Sequence, residues 1–293
     1  MTSVSSFLTF ALCLLPFALP PVQAPRADTS TAAVVDAAST YVKAYQDQLT
    51  FVLADESYTQ QIRTQVPADA SMPRSRNLKS EIAFMFADRT WMAIRDVMQV
   101  DGKPVDRRPD LRADLQLLPA QQVAGKFKSY NSRFNLGHVI RNFNEPTLSL
   151  LVLDPGYRES FKFERKGVER SSGMTLVTLA FSQIKPPWLI YDLNLNPVFS
   201  HGELVVEAGT GRVRRAVLRA KISSVQMEFT TVYAPETRLG IWVPTLFREH
   251  YEEGVAAGNS RTQMLTASGQ VEEIFCEARY ANFRRFETTA RIK

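Results

Sequence analysis

The chain has two cysteines and three histidines in 293 residues, and these scarcities exclude more than any motif supplies. Cys13 lies inside an apolar leader, so Cys276 is the one thiol left after cleavage; an intrachain disulfide and a paired-cysteine metal site are both excluded. His138, His201 and His250 stand singly, without the second histidine that a helical metal site needs three or four residues away. A Gly-x-Ser-x-Gly elbow, a Walker loop and Gly-x-Gly-x-x-Gly are all missing, which removes the usual sequence grounds for a serine hydrolase, a P-loop enzyme or a dinucleotide enzyme. No apolar run after the leader approaches the roughly 20 residues of a membrane-spanning helix. Charge of one sign is missing too: 35 Lys and Arg against 30 Asp and Glu leave +5, dispersed along the chain.

What is present begins with the leader. Phe7 to Leu15 is apolar, Pro16, Pro20 and Pro21 interrupt it, and Val22-Gln23-Ala24 places small residues where a signal peptidase reads. No Lys or Arg precedes the run, a departure from the usual pattern. The expectation is a secretory signal over 1–24, a periplasmic or secreted protein, and one domain over 25–293 with a helical insert near 106–153.

The mature chain reads as one helix followed mainly by strands. Val34, Ala38, Tyr41, Tyr45 and Leu49 recur at helical spacing, which predicts a helix over Thr31 to Leu49 capped by Asp28, Thr29 or Ser30. Strands follow at Thr50 to Arg63, at Lys79 to Ala87 with Ile82, Phe84 and Phe86 on one face, and at Trp91 to Val100 with Met92, Ile94 and Met98 on one face. Asp106 to Phe134 reads as a helix broken at Pro119. Pro146 to Leu153, apolar throughout, fits a short helix or a buried strand. In the second half Phe161 and Phe163, then Val177, Leu179 and Phe181, then Ala216, Leu218 and Ala220, then Val225, Met227, Phe229, Thr231 and Tyr233 alternate with polar residues, as strands with one covered face do. Pro186 to His201 reads as a packed crossover. Ile274, Cys276, Ala278 and Tyr280 share a face of the last strand, which makes Cys276 a small buried hydrophobe.

This order of elements resembles the periplasmic lipoprotein-carrier superfamily, in its uncharacterised exported members. The residues that carry the likeness are Gly202-Glu203-Leu204-Val205-Val206 with Thr210-Gly211-Arg212-Val213, similar to the family's paired strands, and Tyr280-Ala281-Asn282-Phe283-Arg284-Arg285-Phe286, similar to a closing strand. The resemblance implies an α+β fold: a strongly curved, mostly antiparallel open β-barrel with helices on the concave side. It implies a non-catalytic carrier of an apolar or lipidated ligand, without a cofactor.

Candidate ligand-binding residues are the large apolar side chains on strand faces: Phe84, Phe86, Met92, Ile94, Phe161, Phe163, Phe181, Met227 and Phe229. Ordinary core packing accounts for the same residues. In the mechanism this suggests, the helices near Leu111 to Phe134 act as a lid over those faces, and room remains behind them for an oily guest. Asp96 falls on an apolar strand face, where a carboxylate needs a partner. Arg212, Arg214, Arg215, Arg219 and Lys221 form the densest basic cluster, either a solvated face or a contact for an anionic membrane or glycan surface; interleaved aromatics for nucleic acid are absent. A scaffold of the cell envelope, or a hydrolase using Asp96 or His201, are the other readings open at this point, and no residue qualifies as catalytic or metal-binding.

Overall fold

Helix α1 forms over Thr31–Leu49, as its apolar spacing requires, and Ser30 caps it by accepting the Ala33 N–H. The computed structural model describes residues 27–66, 74–137, 139, 141, 145–171, 173–253 and 271–286. The leader with Cys13, and His138, lie outside those residues. Strands β1 (Val52–Val66), β2 (Ser75–Ala87), β3 (Thr90–Val100) and the short β4 (Lys103–Pro104) follow α1. Next come helices α2 (Leu111–Leu117) and α3 (Ala120–Asn131), separated at Pro119, and a 3-10 segment over Leu148–Leu153. The second half supplies β5 (Phe161–Ser171), β6 (Met174–Gln183), a two-residue pair β7 (Ile190–Tyr191) and β8 (Pro197–Val198), then β9 (Ser200–Glu207), β10 (Val213–Ile222), β11 (Val225–Glu236), β12 (Ile241–Glu253) and β13 (Val271–Arg285).

Eleven of these strands make one antiparallel sheet in the order β4-β3-β2-β1-β13-β12-β11-β10-β9-β6-β5. The order does not return on itself, so the barrel is open between the β3/β4 and β5 edges. Its curvature follows from what α1 touches. The helix packs on β2 and on β5, which stand eight strand spacings apart. In a flat sheet that is roughly 38 Å, several times the width of a helix. Only a sheet rolled around α1 brings both to it, which is the expected α+β, curved and unclosed architecture.

The two faces are covered differently. On the concave face Val34, Ala38, Val42, Tyr45 and Leu49 of α1 pack with Phe84, Phe181, Leu204, Leu218, Phe229 and the 3-10 segment. On the convex face of β1 to β3 a second, smaller cluster joins Leu53, Ala83, Met85, Met92 and Ile94 to Leu111, Val123 and Phe127 of α2 and α3. Helices α2 and α3 of the insert therefore do not cover the concave face, whereas its 148–153 segment does. The two helices lie outside the sheet, because β3 is apolar on both sides and offers its Met92, Ile94 side to them. The lid expected over the aromatic faces is corrected on this point.

Gly211 shows how tightly α1 fits. Its φ is +71°, which suits glycine, and a Cβ added there would lie 2.1 Å from the Ala37 carbonyl oxygen of the helix.

Candidate functional site

The segment after α3 turns back into the mouth of the curved sheet and is held there by side-chain hydrogen bonds. Thr231 Oγ1 and Tyr233 Oη of β11 both donate to the Pro146 carbonyl, at 2.7 and 3.0 Å. Ser39 Oγ of α1 donates to the Leu153 carbonyl at 2.7 Å, and Gln46 Nε2 to Asp154 Oδ2 at 2.6 Å. Between these anchors Leu148, Leu150, Leu151, Val152 and Leu153 are all buried. An apolar run of this length cannot reveal from sequence whether it is helix or strand; here it is a plug.

Around the plug the concave face becomes polar. Glu249 is 1% exposed and accepts from Tyr58 Oη at 2.9 Å and Tyr251 Oη at 2.5 Å. Arg95, also buried, forms an ion pair with Glu56, its Nε 2.8 Å from Oε2. Arg141 donates to Gln60 Oε1 at 2.6 Å, to the Leu136 carbonyl at 2.9 Å and to Cys276 Sγ at 3.2 Å. Burial, and then the Glu249 charge, push the Cys276 thiol up to about 12, so at neutral pH it is a protonated core group and not a nucleophile. Burial also raises the Glu145 carboxyl above its usual range, against the pull of Arg95; Glu145 accepts the backbone N–H of Ala93 on β3.

Of these residues Ala93, Arg95, Arg141 and Glu145 border a cleft of about 440 Å³ beside the β3 edge of the open sheet. Trp91, Ala93 and Arg95 of β3 form one wall, Phe127 and Lys128 of α3 another, and Leu148, Glu145 and Leu189 the floor and far side. Beyond Gln99 and Val100, which pair with β4, no strand among the described residues pairs with the edge of β3; its backbone is met instead by Val105 N–H at the Met98 carbonyl, Asn131 Nδ2 at the Arg95 carbonyl and Glu145 at the Ala93 N–H. Trp91 Nε1 and Arg141 Nε, both on side chains at least nine-tenths buried, find no partner among the described residues. A cleft with an apolar floor and the buried donors Trp91 Nε1 and Arg141 Nε can hold a ligand with an apolar portion and an acceptor group.

The sequence candidates divide between the two faces. Phe84, Phe161, Phe181, Met227 and Phe229 are buried in the core around α1, and Phe86 and Phe163 are half-buried against it. Met92 and Ile94 face the other way, under α2 and α3. The seven on the concave side are thus brought together, but α1 and the 148–153 plug fill the space that they surround, so the room expected there is taken up by the chain itself. The cleft lies beside them, at the β3 edge.

Asp96 sits on the convex face of β3 and pairs with Arg108; burial raises its carboxyl while that arginine opposes the shift. His201 and His250 lie seven and four places further along the sheet order, on β9 and β12, in a register row His201, Arg219, Glu228, His250. Asp96 and His201 do not converge, so a hydrolytic pairing of the two is not built. The row itself is a solvated face: Arg219 pairs with Glu228 at 2.6 Å, and His250 approaches Glu273 at 3.2 Å while stacking on Phe275. In the basic cluster Arg214 lies over the Trp242 ring at 4.2 Å. Among the described residues no group of acidic, cysteine or histidine side chains is placed to hold a metal.

Sequence reasoning missed the buried polar set, Glu56, Gln60, Arg95, Arg141, Glu249 and Glu272. One signal was available: Glu56 shares the alternation of Tyr58 and Ile62, Glu249 that of Phe247 and Tyr251, and Glu272 that of Ile274.

No protein-family model matches this chain, and no curated protein matches it in sequence. Three solved structures are similar to it over most of their length. One is a putative outer membrane lipoprotein-sorting protein domain from Vibrio parahaemolyticus, 9% identical, with a TM-score of 0.40 over 88% of this chain and 94% of that one. Another is a LolA superfamily protein from Nitrosomonas europaea, 13% identical, TM-score 0.33, covering 85% of this chain and 94% of its own. The third, a DUF1329 family protein from Desulfovibrio piger, is 13% identical with a TM-score of 0.36 over 89% and 95%. The functional reading below rests on the geometry of this chain.

Proposed function

We propose that the protein is a non-catalytic, exported binding protein of the cell envelope that takes an apolar or lipidated ligand beside the β3 edge of its open sheet. The observation that carries this reading is the plug. The sheet rolls around α1 without closing, and one short apolar segment fills the concave side between α1, β3 and β10, tied down by a few hydrogen bonds at its ends. An acyl chain matches leucine side chains in the chemistry of the contact, so a ligand entering the cleft could exchange with the plug at little cost in buried apolar area. Selectivity would come from the cleft's shape and from the Trp91 and Arg141 donors.

Gly125 provides the test. It lies in α3, borders the cleft, and a Cβ there meets nothing within 4 Å. Replacing glycine in a helix interior gains about 0.5–1 kcal/mol of stability. Gly125→Leu is expected to keep or raise the melting temperature while reducing uptake of a fluorescent fatty acid several-fold. Native mass spectrometry of gently purified wild-type protein should show retained lipid. Absence of both lipid and uptake in the wild type would end the proposal.

A further inference from the structure

Exposed large apolar side chains scattered singly need no explanation, but clustered ones do. Ten such side chains stand out among the described residues, and five fall between 184 and 199: Ile184, Tyr191, Leu193, Leu195 and Phe199. They belong to the crossover between β6 and β9, which makes the small hairpin β7-β8 outside the main sheet. Its inward side chains, Ile190 and Val198, are buried and fasten it to the core. Its tip points the other way: Leu193 is 75% and Leu195 79% exposed.

The tip is built, not loose. Asp192 Oδ1 accepts the N–H groups of Asn194 and Asn196, both at 2.8 Å, and its Oδ2 accepts from Asn196 Nδ2 at 2.9 Å. That cage fixes the turn by polar contacts alone, as aspartate does in turns of this kind. Leu195 joins it only through its backbone, whose N–H donates to the Asp192 carbonyl at 3.0 Å; both leucine side chains stay exposed. Leu195 even takes a φ of +63°, a conformation that side-chain-bearing residues other than Asn and Asp avoid. Behind the tip stands an aromatic tier: Trp188 and Phe199 meet edge to face with centroids 4.9 Å apart, and Tyr191 is exposed beside them. Leucines at the end with Trp, Tyr and Phe behind match the gradient from acyl chains to headgroups.

The nearby charge selects the surface. Lys185 is on the crossover, Lys162 pairs in register with Ser182 just before it, and Lys221 closes β10 next to the start of β9. All three are exposed. The acidic side chain on the hairpin, Asp192, is committed to the turn and stays ionised, since the Asn196 contacts hold its carboxyl below the usual range, and the three lysines outnumber it.

We infer that the 184–199 hairpin docks the protein on an anionic membrane surface, with Leu193 and Leu195 entering the acyl boundary and the lysines facing the headgroups. This is independent of what the cleft binds.

Co-sedimentation of the full chain with vesicles of phosphatidylglycerol mixed into phosphatidylcholine tests it. The wild type is expected to bind these vesicles and to bind pure phosphatidylcholine vesicles more weakly. The exposed double substitution Leu193→Ser with Leu195→Ser should leave the melting temperature unchanged and lower vesicle affinity by roughly tenfold or more. Lys185→Glu should lower binding to the anionic vesicles alone. Failure of the wild type to bind, or undiminished binding of the double variant, overturns the inference. So does a concentration-dependent dimer that the double variant abolishes without any vesicle binding, since that assigns the patch to a second copy of the chain.

Discussion

Gly211 and Glu145 are single residues whose surroundings make their replacement readable. At Gly211 the positive φ and the approach of the Ala37 carbonyl act together. Gly211→Ala combines about 1 kcal/mol of backbone strain with displacement of α1, and a loss of about 2 kcal/mol or more in urea denaturation is the expected result. At Glu145 burial raises the carboxyl, so the folded state holds its proton more tightly than the unfolded state does. The stability this supplies is full below the unfolded value near 4.3, then falls as pH rises through the folded value. Glu145→Gln keeps an acceptor for the Ala93 N–H and removes the titration. Its unfolding free energy, followed from pH 4 to pH 8, should decline less than that of the wild type.

Elements were legible where their signals were local. The stripe and cap of α1, the break at Pro119 and the alternation of β10 and β11 all appear in the fold at nearly the expected residues, because each depends on neighbours in the chain. The site was less legible. β3 is buried on both faces, so its alternation cannot say whether Trp91 or Met92 looks inward, and the candidate set mixed the two sides. The plug was ambiguous because an unbroken apolar run has no period. The charges of Glu56, Arg95 and Glu249 resemble those of a wet strand face, and only pairing across long sequence separation reveals that they are satisfied inside.

At the scale of the molecule, the pairing of β1 with β13 carries the most weight. The sheet consists of two runs, β4 to β1 and β12 to β5, and β13 is the strand that bonds to both. As the chain emerges, those two runs have no strand-to-strand ladder between them, and the strand that joins them follows the other ten strands of the sheet. The unsutured halves must therefore wait with bare edges on β1 and β12, a template for aggregation that α1 can cover only in part. A chain cut before residue 271 should show no cooperative unfolding transition, and hydrogen exchange during refolding should protect the β1 amides that bond β13 no earlier than those of β13, while the β1 amides that bond β2 are free to precede them. A cell that makes this protein thus has reason to keep a holding chaperone on it until β13 has appeared.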